Sequence, residues 1–206
     1  MIVVDIETSG VDYNKCGIIQ IGAIDIKNPG NTFLQDAKLG DEYTIVNSDN
    51  MLDSKSVTDL LGIGEEQMKN KNAQSEKELL EHFFQWVSEI EEKDLICQNP
   101  QFDYAFMKTK ADKYGLSLPF SYRCMDLYTV AHLKYFDLKK DFLFKNGHSD
   151  FGLSKTLELC GMIDNRKEHN ALEDAKLEAE CFSRLVYGKG LLKEYAGIPV
   201  PEILKR

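Results

Sequence analysis

The sequence predicts an α/β fold on a mixed, five-stranded sheet, and three observations carry that expectation. Three apolar runs of strand type come first, separated by turn-rich stretches. The apolar period then lengthens from two residues to three or four. Further short apolar runs alternate with these helical segments. Strands joined by short turns pair antiparallel, whereas strands separated by a helix join mostly as parallel crossovers, so the first strand should lie near the middle of the sheet.

The first strand is "IVVDIE", and "TSGVDYNKC" (8–16) turns the chain into a second, "GIIQIGAIDI" (17–26). "NPGN" is the next turn, and "EYTIV" (42–46) completes an antiparallel meander. Residues 47–74 are polar and the least informative, although "SVTDLLGIG" suits a short helix stopped at Gly62 or Gly64. In "SEKELLEHFFQWVSEIEEK", Leu79, Leu80, Phe83, Phe84, Val87 and Ile90 recur at helical spacing behind a Ser75–Glu78 capping box. "DLICQ" (94–98) is a buried strand, and "FDYAFMKTKADKYG" a helix ended by Gly115. "YRC" (122–124) is the last strand, followed by helices through "MDLYTVAHL", "LSKTLELCG" and "ALEDAKLEAECFSRLVYG". The last of these presents Ala171, Ala175, Ala179, Phe182 and Val186 as its packing face.

With 206 residues and 43% hydrophobic content, the chain suits one domain over 1–190 with a short tail, 191–206. No signal-like or membrane-spanning stretch is visible, which implies a cytoplasmic protein. Cys16, Cys97, Cys124, Cys160 and Cys181 are scattered without a C-x-x-C pair, as expected of reduced core thiols. A net charge of −9 argues against a protein that coats duplex nucleic acid, yet allows an enzyme that grips a few nucleotides through metal-neutralised carboxylates. "HLKYFDLKKDFLFKNGH" interleaves lysines with aromatics, but Asp137 and Asp141 dilute its charge and favour a half-buried helix and loop.

The first strand is peculiar in carrying Asp5 and Glu7. Residues two apart share a face of a strand, so these carboxylates lie side by side while Ile2, Val4 and Ile6 line the other face. Two acids in a partly dry place resist ionising together unless a cation compensates. Further oxygen ligands should come from the mouth of the sheet, where α/β proteins build their sites. Asp103 in "NPQFD" stands where a strand gives way to a helix, and "EHNALEDA" sets Asp174 one turn into the final helix with His169 just before it. His82, His132 and His148 read as structural or solvated.

D-x-E at Asp5 and Glu7, N-x-x-F-D ending at Asp103, and H-x-A-x-x-D from His169 to Asp174 resemble, in order, the three motifs of the DEDDh 3′→5′ exonucleases. That family includes proofreading subunits of bacterial replicative DNA polymerases, ribonuclease T and oligoribonuclease. The likeness extends to "IIQIGAI", "RCMDLYTVAH" and "LSKTLELCGM" and covers about residues 1–187. Gln20 and Gln98 depart from the glutamate and histidine that many relatives carry there.

The resemblance implies a ribonuclease H-like domain that releases nucleoside 5′-monophosphates from single-stranded DNA or RNA 3′ ends. Two divalent cations, Mg²⁺ or Mn²⁺, would be held by Asp5, Glu7, Asp103 and Asp174, as suits hard ions and oxygen ligands. His169 would be the general base. Thr8, Ser9 and Gly10 would meet the terminal nucleotide, supported by Asn99 and Phe102. An oligoribonuclease-like RNA trimmer, a ribonuclease H-type endonuclease and a non-catalytic nucleic-acid-binding module are the competing expectations. The last should have lost an acid or the histidine, and all five residues are present. The short tail favours a free-standing enzyme; no motif specifies a homodimer or a polymerase partner.

Overall fold

Strand β1 (Ile2–Thr8) divides the molecule by its own alternation: Ile2, Val4 and Ile6 enter one hydrophobic core and Val3 enters another. It is the centre of a five-stranded sheet with β2 (Ile18–Asp25), β3 (Thr32–Asp36), β4 (Leu95–Cys97) and β5 (Met125–Asp126), in the order β3-β2-β1-β4-β5. β1–β2 and β2–β3 pair antiparallel, β1–β4 and β4–β5 parallel, as the spacing of helices predicted. The computed structural model describes residues 1–45, 57–62, 64–70, 72–167 and 169–205.

On one face, helix α3 (Glu76–Ser88) supplies Leu79, Leu80, Phe83 and Val87, and α4 (Pro100–Tyr114) supplies Phe106 and Met107. The expected capping box is present: Ser75 Oγ accepts the Glu78 N–H, and Glu78 returns to the Ser75 N–H at 2.8 Å. The other face is covered by α5 (Leu127–Lys139), α6 (Leu153–Leu159) and α7 (Ala171–Tyr187). α1 (Val57–Leu61) ends at Gly62, whose φ of +64° suits a glycine, and α2 (Glu65–Met68) follows. A small cluster of Ile19, Leu39, Tyr43, Leu61 and Met68 fixes this segment beside β2.

Two strand expectations are corrected. The third antiparallel strand is Thr32–Asp36 and not residues 42–46, because a tight connection, with Asp25 N–H on Asn31 O and Asn31 N–H on Asn28 O, returns the chain at once alongside β2. Tyr43 is instead drawn into the interior, its hydroxyl donating to buried Glu76 at 2.6 Å; Val46 lies outside the described residues. The last strand is Met125–Asp126 rather than 122–124, with Asp126 doubling as the N-cap of α5 and Tyr122 exposed. The lysine-rich stretch forms the end of α5 and a hairpin of β6 (Phe144–Lys145) and β7 (His148–Ser149). Asn146 and Gly147, both at positive φ, make its two-residue turn.

Residues 191–205 fold back on α7. Glu180 accepts the amides of Leu191 and Leu192, while Arg184, fully buried, pairs with Glu180 at 2.7 Å and donates to the carbonyls of Cys160 and Ile198. The five cysteines are free, four of them buried. Among the described residues no helix is long and apolar enough to cross a membrane.

Candidate active site

Because Asp5 and Glu7 share a face with Val3, they point toward α7, the helix that carries Asp174. The pairing register shifts between Glu7 and Thr8, an irregularity that bends the strand end just where the carboxylates emerge. α7 approaches β2 so closely that a Cβ on Gly22 would lie 2.1 Å from the Ala171 carbonyl carbon and the Leu172 nitrogen. Gln20 Oε1 accepts the Ala171 N–H at 2.7 Å, and Asn170 caps the next two amides. The first turn of α7 is thereby fixed against the sheet with Asp174 turned inward.

Asp103, in the first turn of α4, accepts the Ile6 N–H at 3.2 Å, tying the start of that helix to β1. Its helix follows an abrupt turn at Asn99, held at φ +68°. The Asn99 N–H donates to Asp126 Oδ1 at 3.1 Å and the Gln98 N–H to Glu178 Oε2 at 3.0 Å.

His169 Nδ1 lies 3.0 Å from Asp174 Oδ2 and 4.0 Å from Glu7 Oε1. Ligand atoms of these three residues fall within 4.8 Å of one another. Arg166 approaches from behind, Nη1 3.2 Å from Asp174 Oδ1, while its Nε and Nη2 fork onto Asp164 at 2.9 and 2.7 Å. Glu7 Oε1 and Asp174 Oδ1 are nevertheless buried without a hydrogen bond. An orphaned buried carboxylate oxygen is costly. Two such oxygens, on carboxylates whose ligand atoms cluster with an imidazole nitrogen, fit the coordination of a hard divalent cation.

The acids behave as a crowded set. Burial, with the charge of Glu7 and of three more carboxylates, raises Asp5 well above the usual carboxylate range. Burial lifts Glu7 to about 7, with His169 acting the other way, and lifts Asp103 to about 7 against its backbone hydrogen bonds. Glu178 is likewise pushed well up by burial and by Asp103. The hydrogen bond to Asp174 raises His169 against its partial burial.

Thr8, Ser9 and Gly10 follow Glu7 directly. Thr8 Oγ1 donates to Gly10 O at 2.7 Å. Ser9 is turned inward, its hydroxyl donating to Thr44 O and accepting the Gly17 N–H, and its own N–H bound to Gly17 O. Buried Lys110 completes this loop, donating to Tyr13 O and Cys16 O with its ammonium 4.1 Å above the Tyr43 ring. Asn99 is exposed, and Phe102 is half-buried with its ring 4.9 Å from Phe106. His82 bonds Gln35 and Gln74, His132 stacks on Phe151, and His148 sits in the exposed hairpin.

Sequence reasoning missed several residues here. Glu178 shares a helix face with Asp174 four residues earlier, and that spacing was available as a signal. Arg166 stands three residues before His169 in "NRKEHN". Leu61 and Met68 come from the uninformative 47–74 stretch and, with Glu7, Gln20, Asp36 and His169, line a cavity of about 470 Å³ beside the acids.

A carboxylate cluster with a histidine at the mouth of a mixed sheet fits a hydrolase of nuclease type. An exonuclease family model, of RNase T type, matches residues 2–182, and the chain belongs to that family, whose members of this fold generally use divalent metals. It is 30% identical over 185 residues to DNA polymerase III PolC-type from Caldanaerobacter subterraneus subsp. tengcongensis, covering 90% of this chain and 11% of that much longer protein. The nuclease domain of 3′hExo, a DEDDh family member solved bound to rAMP, matches with TM-score 0.64 at 17% identity over 93% of this chain and 94% of that one. The zinc-bound form of the E. coli ExoI–ssDNA complex matches with TM-score 0.69 at 17% identity, over 91% and 40%. The structural likenesses establish the ribonuclease H-like exonuclease fold.

Proposed function

We propose that this chain removes nucleotides one at a time from the 3′ end of single-stranded nucleic acid, releasing nucleoside 5′-monophosphates. The observation that carries the reading is the cluster of Glu7, Asp174 and His169, whose ligand atoms lie within 4.8 Å of one another while Glu7 Oε1 and Asp174 Oδ1 are buried without a hydrogen bond. Asp5, Glu7, Asp103 and Asp174 would hold Mg²⁺ or Mn²⁺. When bound, two such ions supply an activated water and charge stabilisation for the phosphorane and the leaving 3′-oxygen.

The residues divide the remaining work. His169, 42% exposed at its side chain, takes the proton of the attacking water, for which its ring leaves Asp174 and swings toward the cleft. Thr8 and Gly10 meet the terminal nucleotide, and Ser9 acts within the loop to hold them in place. The cavity walled by Leu61 and Met68 receives the terminal base, an apolar wall against a flat ring. Asn99 and Phe102 border the entry. The likeness to PolC-type polymerases makes DNA ends the first substrate to try, with RNA beside them.

The test is digestion of 5′-labelled single-stranded DNA and RNA, free or blocked at the 3′ end, with Mg²⁺, Mn²⁺ or EDTA, using wild type, Asp5→Ala and His169→Ala. Stepwise, metal-dependent shortening from free 3′ ends is expected, and both variants should lose it. Internal cuts, or undiminished activity in both variants, would sink the reading.

A further inference from the structure

The acid cluster of this chain holds one buried acid, Glu178, beyond the four that the three motifs supply. Asp5, Glu7, Asp103, Asp174 and Glu178 repel one another in a largely buried space. Among the described residues, the ion pairs bring to it the guanidinium of Arg166 and the imidazole of His169, which is charged only when protonated. Arg166 is permanently charged and mostly buried, 17% exposed at its side chain. Asp164, itself held by Ser154 Oγ at 2.6 Å, grips the guanidinium by a two-point fork and leaves Nη1 directed at Asp174 Oδ1. That contact is close at 3.2 Å but lacks hydrogen-bond geometry, so Arg166 neutralises the oxygen without satisfying it.

We propose that Arg166 is a resident counter-ion that stabilises the metal-free site and competes with the divalent cation for Asp174. The inference rests on the metal-dependent reading above and adds to it a residue that sets how readily the site loads. A guanidinium anchored on Asp164 and a divalent ion on Asp174 repel each other at short range, so the arginine lowers metal affinity. Without it, the empty site would carry uncompensated carboxylates and the folded chain would be less stable.

Mn²⁺ binding measured by calorimetry without nucleic acid, together with melting in EDTA, tests this. Arg166→Gln removes the charge but keeps amide donors for Asp164, and it should bind Mn²⁺ about tenfold more tightly than wild type. It should also melt below wild type in EDTA, with the gap closing at saturating Mn²⁺. Asp164→Asn leaves the guanidinium with Asp174 as its full counter-charge and should shift Mn²⁺ affinity the opposite way, weaker than wild type. A purely structural role for Arg166 would weaken or leave unchanged the Mn²⁺ affinity of both variants and lower both melting temperatures equally with and without metal. That result overturns the proposal, and if Arg166→Gln does not fold, unchanged or tighter binding by Asp164→Asn overturns it alone. A wild-type protein that takes up no Mn²⁺ would sink the metal reading itself, and this inference with it.

Discussion

Glu178 Oε2 accepts the main-chain N–H of Gln98 at 3.0 Å, joining the last helix to the end of β4 across 80 residues of sequence. This bond places a fully buried acid beneath the turn at Asn99, from which Asp103 projects. Glu178→Leu leaves that amide without a partner and should cost about 1–3 kcal/mol in urea unfolding. Glu178→Gln keeps an acceptor and removes a potential charge, so the metal-free protein should melt no lower than wild type. If the glutamine variant were as unstable as the leucine one, the bond would not be what Glu178 contributes.

Gly22 shows how a residue with no side chain can govern the site. Its missing Cβ is the space that the Ala171–Leu172 backbone occupies, and backbone at 2.1 Å cannot yield as a flexible side chain would. Gly22→Ala should therefore push the first turn of α7 off the sheet, carrying Asp174 and His169 with it. Misplacement of about 1 Å is enough for roughly 100-fold loss of kcat, which single-turnover digestion would read. Near-wild-type turnover in a folded Gly22→Ala protein would show that α7 tolerates the shift.

The raised acids make the metal-free protein sensitive to pH. Glu7 and Asp103 titrate near 7 in the fold but near 4 to 4.5 in an unfolded chain, so across this interval the folded state holds protons that the unfolded state has lost. Stability is then fully present below the unfolded values and declines as pH rises through about 7. His169, raised by Asp174, adds in the same direction. In EDTA the protein should melt roughly 5 °C lower at about pH 7.5 than at about pH 5.5, and Mn²⁺ should remove most of the difference. Scanning calorimetry checks it; an apo melting point that rises over this interval would contradict the site electrostatics.

Legibility in the sequence followed the range of the interactions concerned. Alternation in "IVVDIE" and the capping box at Ser75 are local, and they placed β1 and α3 correctly. The third strand was misplaced because "EYTIV" has strand composition while its Tyr43 answers to Glu76, 33 residues away. The candidate carboxylates stand in ordered motifs, and the fold brings Glu7 and Asp174 together with His169. Glu178 and Arg166 were not legible, since their significance depends on what the fold packs against them: the Gln98 amide in one case, Asp174 in the other. The motif alone does not reveal that Ser9 bonds Thr44 and Gly17 through its hydroxyl and amide, because those partners lie 35 and 8 residues further along the chain.

His169 stands close enough to Glu7 and Asp174 to serve as a ligand as well as a base, and the two roles part in their kinetics. A base acts in the proton-transfer step, so His169→Gln should lower kcat by about 10²–10⁴ while Mn²⁺ affinity stays near wild type. A ligand would lose affinity for the ion first, and excess Mn²⁺ would restore much of the rate. The acid limb of the rate profile adds a second readout. The base must be unprotonated, so activity rises with pH through the pKa of His169, which Asp174 holds above its ordinary value in the metal-free fold. A cation held by Asp174 would weaken that carboxylate's hold on the imidazole and should bring that limb back toward the usual histidine range. Wild type should therefore show a limb that moves to lower pH as Mn²⁺ approaches saturation, and His169→Gln should lack it. A limb that persists unchanged in the variant would assign the proton transfer to another group and leave His169 to position Asp174.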